Sequence, residues 1–324
     1  MMTIGSPITS GGYTFTNFDF SPLTGTATGT NVNGISNNGQ VVGTTVDVNG
    51  ASTFTNFSGV LGSLTLLNTG GGQTAFGINS AGTVVGGNGT NAFILPNGGS
   101  LQDLTNPAGA INAFGINDNG NIVGQYTSGG NTPGFILASG SSTTFTTINQ
   151  PAGVSADVIN AQGINNSGRV VGFYLGNDGQ VHGFLVTMPS TPGTITATAV
   201  ADPLIPPVAG EPGATFVFSQ LLGINDKGIA VGYYGDSTTS QHGYFYNTAT
   251  GAYTFLDDPA AAFHDGVEVT QITGITNTGE IAGFYTDANG TFHSFVATPV
   301  PEPATLLLAG LGAAGCMWLR RRLA

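Results

Sequence analysis

One ten-residue phrase recurs six times along this chain, and its spacing limits the fold more than any other feature. The copies read GISNNGQVVG (34–43), GINSAGTVVG (77–86), GINDNGNIVG (115–124), GINNSGRVVG (163–172), GINDKGIAVG (223–232) and GITNTGEIAG (274–283). Glycine stands at positions one, six and ten of every copy. Most copies centre on N-x-G or D-x-G, residues that tolerate the positive φ of a tight turn, with Ile before and a Val/Ile/Ala pair after. Each phrase is therefore predicted to be a β-hairpin.

The residues after each phrase repeat as well. Aromatic-ended segments GQY (124–126), GFY (172–174), GYY (232–234) and GFY (283–285) extend the second strand. Gly/Asn/Asp turns, such as NDG at 177–179 and ANG at 288–290, lead to a third strand: HGFLV (182–186), HGYFY (242–246) or HSFVA (293–297), with NAFIL (91–95) and PGFIL (133–137) as looser versions. A fourth strand, TTFTTI (143–148) or YTFL (253–256), ends near an Asp/Asn-Pro-Ala corner. Four strands per unit is the arithmetic of a propeller blade.

Successive phrases are 43, 38, 48, 60 and 51 residues apart, which suits blades and is too long for single turns of a β-helix. The longest interval is swollen by the Pro-rich stretch 191–213, expected to be a surface loop. The sixth unit stops after HSFVATP without a fourth strand, while the chain begins with YTFTNFDF (13–20), which looks like the missing YTFL. The expected fold is all-β: a six-bladed propeller over residues 1–299, closed by strand exchange between the termini, which removes its open sheet edges.

The units resemble the HAF repeat, named for a His-Ala-Phe triplet after a GINxxGxVVG phrase. Here the triplet reads His182-Gly183-Phe184, His242-Gly243-Tyr244, His293-Ser294-Phe295 and, without His, Asn91-Ala92-Phe93. The resemblance runs over about residues 31–298 and implies an extracellular, propeller-like protein; it brings no catalytic residues to carry over.

The end of the chain, residues 300–324, is of another kind. Pro301, Glu302 and Pro303 lead into an uncharged apolar run from Ala304 to Leu319, closed by Arg320, Arg321 and Arg322. As a helix this run spans about 24 Å, short of the ~30 Å hydrocarbon core, so the predicted membrane segment is marginal. Cations only after the span put the C-terminus in the cytoplasm and the rest outside. The tail resembles the PEP-CTERM sorting signal of Gram-negative bacteria, in which a VPEP motif, a short span and a basic cluster are recognised by an exosortase. That resemblance implies cleavage near Pro301 to Pro303, a transient inner-membrane anchor, and release or attachment at the cell surface. The N-terminus, MMTIGSPITSGGYTF, has no charged n-region or apolar h-region. The export leader is expected upstream of the recorded start, or the chain is a fragment lacking it.

Composition fits an outside address. Of 5 Lys and Arg, only Arg169 and Lys227 precede the tail, against all but one of 17 Asp and Glu. So acidic a surface repels nucleic acid, for which Lys and Arg supply most of the affinity. The single cysteine, Cys316, lies in the apolar run, so neither a disulfide framework nor a Cys-based metal site is available.

Few residues suggest chemistry. His182, His242 and His293 share one place in their units, away from the axis where symmetric side chains would converge on a metal, and are read as structural, each bonded to a backbone group. His264 lies beside Asp265 and Glu268 in one irregular loop, a weak site candidate. The turns at 117–121, 176–180 and 286–290 offer oxygen ligands, but none has the spacing of an EF-hand, so calcium is only a minor alternative to no cofactor. Asp257 and Asp258 are the paired carboxylates that glycoside hydrolysis would use, but neighbours on a strand face opposite ways, and the pair is read as a corner. No nucleophile elbow or H-E-x-x-H is present.

The leading expectation is a non-enzymatic surface or matrix protein, associated with exopolysaccharide or biofilm. A carbohydrate-binding propeller would use the aromatic pairs Phe173-Tyr174, Tyr233-Tyr234 and Phe284-Tyr285, one ring of each being accessible for stacking on a sugar. The third reading is a polysaccharide hydrolase or lyase.

Overall fold

The structure is a computed structural model, and it describes residues 2–20, 27–47, 55–70, 72–105, 109–141, 144–155, 158–205 and 213–301. These residues are all-β. The expected membrane helix at 304–319, with Glu302, Pro303 and Arg320 to Arg322, lies outside them; among the described residues no helix is long and apolar enough to cross a membrane.

Three N-terminal strands come first: β1 (Met2–Ile4), β2 (Ile8–Ser10) and β3 (Tyr13–Phe20). The first repeat contains β4 (Ala27–Ile35), β5 (Gln40–Asp47), β6 (Thr55–Val60) and β7 (Ser63–Leu66). In the second come β8 (Thr74–Ile78), β9 (Val84–Gly87), β10 (Ala92–Leu95) and β11 (Gln102–Asp103). The third has β12 (Ala110–Ile116), β13 (Ile122–Tyr126), β14 (Gly134–Leu137) and β15 (Thr146–Asn149). The fourth has β16 (Ile159–Ile164), β17 (Arg169–Leu175), β18 (Val181–Thr187), then β19 (Thr194–Thr196) and β20 (Thr198–Ala199). The fifth holds β21 (Phe216–Ile224), β22 (Ile229–Asp236), β23 (Gln241–Asn247) and β24 (Tyr253–Phe255), and the last β25 (Thr270–Ile275), β26 (Ile281–Thr286) and β27 (Phe292–Pro299).

Within each repeat the strands pair antiparallel in chain order, first to second to third to fourth. The last repeat takes its fourth strand from the other end of the chain. β3 runs antiparallel along β27, with Ser294 opposite Phe18 and Pro299 opposite Tyr13. On its far side β3 carries β1 and β2, so the N-terminal segment covers the edge it would otherwise expose. The stretch at 191–213, expected as loop, is a partial correction: it supplies β19, which pairs parallel with β15 of the preceding repeat, and β20, the fourth strand of its own. Short hydroxyl-rich TITAT segments are too brief to announce themselves as strands, and an existing edge pairs them.

The phrases form the inner hairpins. In the third copy Gly120 N donates to the Asn117 carbonyl at 3.0 Å and the glycine takes φ 81°, a conformation that costs a side chain strain. Gly168 does the same in the fourth, with φ 78°. The first glycine of each phrase serves a different end, close approach between repeats. A methyl at Gly34 would meet the Phe76 carbonyl oxygen at 2.7 Å, at Gly77 that of Phe114 at 2.7 Å, and at Gly115 that of Gln162 at 2.5 Å. At Gly163 it would meet the Leu222 carbonyl oxygen at 2.8 Å, at Gly223 the Cα of Gly274 at 3.0 Å, and at Gly274 the nitrogen of Ile35 at 3.1 Å. The sequence of contacts ends beside the residue where it began, so the inner strands close around an axis.

The core lies between neighbouring sheets. One apolar cluster joins Phe15 of β3 and Phe295 of β27 to Val231 of the fifth repeat; another joins Phe18, Phe20 and Val296 to Val32 and Phe57 of the first. An aromatic ring of each third strand, Phe57, Phe93, Phe135, Phe184, Tyr244 and Phe295, is fully buried.

Candidate functional site

Two polar arrangements come from the repeat, one at each end of the inner strands. Around the axis, position four of the phrases forms a belt. Ser80 N donates to Asp118 Oδ1 (2.8 Å), Asp118 N to Asn166 Oδ1 (2.9 Å), Asn166 N to Asp226 Oδ1 (2.7 Å), Asp226 N to Asn277 Oδ1 (2.8 Å) and Asn277 N to Asn37 Oδ1 (2.8 Å). Beneath it, the buried position-three asparagines staple turns together. Asn117 Oδ1 accepts from Asn121 N of its own turn, while its Nδ2 donates to the Asn165 carbonyl of the next; Asn165 repeats this toward Asn225. Burial raises the Asp118 carboxyl, but hydrogen bonds from Asn37, Ser80 and Asn166 outweigh it and hold the group below the usual carboxylate range.

Inside the belt the channel is packed. An irregularity in the pairing before each phrase glycine, a β-bulge position, places Asn33, Phe76, Phe114, Gln162, Leu222 and Thr273 around the axis. The remaining space is about 80 Å³ between these residues and about 60 Å³ under the belt. Small-molecule sites need roughly 300–1,000 Å³, so the axis is a core and not a binding channel.

At the opposite end of the strands lie the three repeated histidines. The expectation of backbone partners is corrected here: each imidazole sits between carboxylates, because an aspartate on or just after the fourth strand lies next to the start of the third. His182 Nδ1 is 3.0 Å from Asp202 and its Nε2 3.0 Å from Asp178. His242 Nδ1 is 2.8 Å from Asp257, with Asp236 at 3.8 Å on the other side. His293 Nδ1 is 2.9 Å from Asp19 on the N-terminal strand, and its Nε2 3.4 Å from Asp287. A tyrosine of the second strand lies against each ring: Tyr174, Tyr234 and Tyr285, with centroids 5.2–5.7 Å away. At His182, where both nitrogens have carboxylate acceptors, the doubly protonated imidazolium satisfies the site best. Burial opposes that charge at His182, yet bonds to Asp202 and Asp178 raise its pKa overall. At His293 the bond to Asp19 is the largest influence and also raises it. Asp287 is partly desolvated, but bonds from Thr291 and Asn289 dominate and bring its carboxyl down to about 2.

Asp257 and Asp258 part company, as adjacent side chains should. Asp257 serves His242, whereas Asp258 is 2% exposed and turns toward β3, where Asn17 Nδ2 and the Ala260 N–H both reach its Oδ1. Its Oδ2 and the Oδ1 of Asn17 are buried without hydrogen-bond partners. Desolvation pushes the Asp258 carboxyl up to about 6. His264 meets the Ala288 carbonyl at 3.1 Å and Asp265 at 3.5 Å, while the backbone of Glu268 is tied to Ser240 and Gln241.

The aromatic pairs are not presented to solvent as expected. Tyr174, Tyr233, Tyr234, Phe284 and Tyr285 are each at most 9% exposed, and only Phe173 is half-buried. Their faces are taken by neighbours such as Phe218 against Tyr233 and Phe292 against Phe284. Turn oxygens proposed for calcium cap their own loops, Asp287 Oδ1 accepting from the Asn289 and Thr291 N–H groups and Asp178 Oδ1 from Gln180 N. A cation at either turn would compete with these donors. Among the described residues, no group of three or more His, Cys, Asp or Glu side chains is arranged to hold a metal ion. A groove of about 690 Å³ between the first two repeats, lined by Gln40, Ser58, Thr65, Leu66, Asn97 and Ser100 among others, escaped the sequence reading because its walls come from distant turns.

Comparison with known proteins adds an address and no activity. Residues 299–322 match the PEP-CTERM protein-sorting motif, which implies export and a C-terminal membrane anchor cut by an exosortase. No curated protein matches the chain in sequence. Among solved structures it is similar to a prolyl endopeptidase (12% identity, TM-score 0.42, 89% of this chain), of whose length it spans 47%. It is also similar to the β-propeller domain of the Trilobed protease from Pyrococcus furiosus (10% identity, TM-score 0.44, 93% of this chain and 98% of that one). A virginiamycin B lyase from Staphylococcus aureus gives 12% identity and a TM-score of 0.43 over 88% and 99% of the two chains. At these values the likeness carries no functional argument; the all-β, propeller-like description rests on the strand pairing and the closed axis.

Proposed function

We propose that this chain is an exported, exosortase-sorted surface or matrix protein whose ectodomain is a six-bladed propeller of HAF-type repeats, without enzymatic activity and associated with exopolysaccharide. The observation that carries the reading is the sorting motif at 299–322, which starts on the last residue of β27. Cleavage near Pro301 to Pro303 would leave every described strand on the released side. Support for a non-enzymatic role comes from the packed axis and from aspartates engaged in holding turns and histidines. The carbohydrate-binding alternative is favoured by one feature, the groove between the first two repeats, whose lining bears amides and hydroxyls and no charge. Glycan-array binding lost on replacing Asn97 and Gln40 would support it.

The sorting claim is tested by expressing the full gene, with any upstream leader, in hosts with and without an exosortase, and sequencing the surface protein's C-terminal peptide by mass spectrometry. Loss of Trp318 and Ala324 only in the exosortase host is the expected result. An intact tail on the mature surface protein in that host would reject sorting by cleavage.

A further inference from the structure

The seam where the two ends of the chain meet brings ionisable groups from both ends of the sequence together. Three contacts tie β3 to the rest at its Asn17–Asp19 end. Asp19 meets His293 of β27, Asn17 Nδ2 donates to Asp258 of the preceding repeat, and Phe18 pairs with Ser294. Around His293 stand Asp19 from β3, Asp287 from the turn before β27, Tyr285 from β26 and, further off, Asp258 from the loop after β24. His264 docks on that same turn through the Ala288 carbonyl. The two basic residues of the folded part are elsewhere: Arg169 bonds Thr248, and Lys227 lies in a phrase turn at the other end of the strands. Imidazolium is thus the cation that balances the seam's carboxylates.

The geometry points to a proton-operated latch: a charged imidazole at His293 and an uncharged carboxyl at Asp258 together hold β3 in the ring, and loss of both protons loosens that strand. Asn17 Nδ2 and Ala260 N both donate to Asp258 Oδ1, whereas its Oδ2 is buried without a hydrogen-bond partner; a carboxylate there keeps charge on an unsatisfied buried oxygen, and a proton on the group removes that cost. Loss of the His293 proton leaves the carboxylates at Asp19 and Asp287 with one N–H between them. The directions of both titrations agree, since each group holds its proton more firmly folded than unfolded. The sign follows from linkage: the seam is strongest at low pH and loses strength as pH rises through the two folded values.

Hydrogen exchange on the purified full-length chain tests the latch, with protection factors corrected for the intrinsic pH dependence. Measurements at about pH 5.5 and about pH 8.5 bracket the unperturbed histidine value of about 6.5. The β3 amides are expected to lose about tenfold more protection than those of β16 and β17 over that interval, one titrating proton supplying up to tenfold per pH unit. His293→Gln and Asp258→Asn should each reduce that excess, while His182→Gln, whose carboxylates lie in its own repeat, should leave it unchanged. An equal loss in all sheets, or an excess that persists in the His293→Gln/Asp258→Asn double variant, would overturn the proposal. Should the variants fail to fold, NMR titration of the wild-type imidazoles decides: His293 deprotonating at or below the unperturbed histidine value of about 6.5 sinks it.

Discussion

Thr273 Oγ1 lies 3.0 Å from the carbonyl oxygen of Val32, a residue 241 positions away, and joins the last repeat to the first beside the axis. Closure is thus stitched at an inner radius by this hydroxyl and at an outer one by β3 on β27. Ser294 Oγ, donating to the Thr30 carbonyl at 2.8 Å, lies between the two.

Thr273→Val removes the inner stitch with little change of shape. The Val32 carbonyl loses a buried donor, so the expected destabilisation is about 1–3 kcal/mol, read from urea denaturation. No change would mean that water replaces the hydroxyl without cost.

Replacing a phrase turn glycine should strain the hairpin. Gly120→Val and Gly168→Val put a β-branched residue at φ 81° and 78°, and the added Cβ at Gly120 would come 2.8 Å from Ser139 Oγ. Each substitution should cost about 1–3 kcal/mol or more and lower the melting temperature. Unchanged melting of both would remove the basis for reading the phrase as a positive-φ turn.

Phe15→Ala tests whether the borrowed strand is part of the core. The ring is 1% exposed and sits 5.4 Å from that of Phe295. A loss of about 3–5 kcal/mol is expected for a buried phenylalanine, against near-neutrality if β3 merely rests on the surface.

The hairpins and the closing strand were legible because they depend on local signals: glycine at fixed offsets, and an aromatic strand present at one end and missing at the other. The histidine sites were half legible. Their regular place in the units marked them as structural, but Asp19, Asp202 and Asp257 lie on or just after the fourth strands, and no single-strand pattern reveals a partner up to 274 residues away. Position four of the phrase is polar in all six copies, which turn chemistry alone accounts for; only closure of the ring brings Asp118, Asn166 and Asp226 into one belt. The buried aromatic pairs show the opposite failure. Strand alternation predicts an accessible ring in each pair, whereas sheets packed on both faces bury both rings of Tyr233-Tyr234 and Phe284-Tyr285 and leave Phe173 half-buried.

His182 gives a pH prediction independent of the seam. Its pKa is raised in the fold, so its contribution is fully present below the unfolded value of about 6.5 and is lost as pH rises through the higher folded value. Melting temperatures of wild type and His182→Gln should therefore converge above neutral pH and separate below it. A constant offset across the range would assign His182 a purely steric role.

The pairing of β3 with β27 makes the fold a check on its own completeness. During export in the N-to-C direction the first strand emerges early, but the strand that receives it, Phe292–Pro299, emerges almost last. Val300 N still bonds the Gly12 carbonyl at 2.8 Å, so the closing contacts run up to the threshold of the sorting motif. A chain broken off anywhere before residue 292 leaves β3 without its partner strand and takes Phe295 and Ala297 from the cluster around Phe15 and Val296 from that around Phe18. Only a chain that has reached its sorting motif can close that edge, so a truncated product keeps one side of β3 unpaired while the intact chain does not.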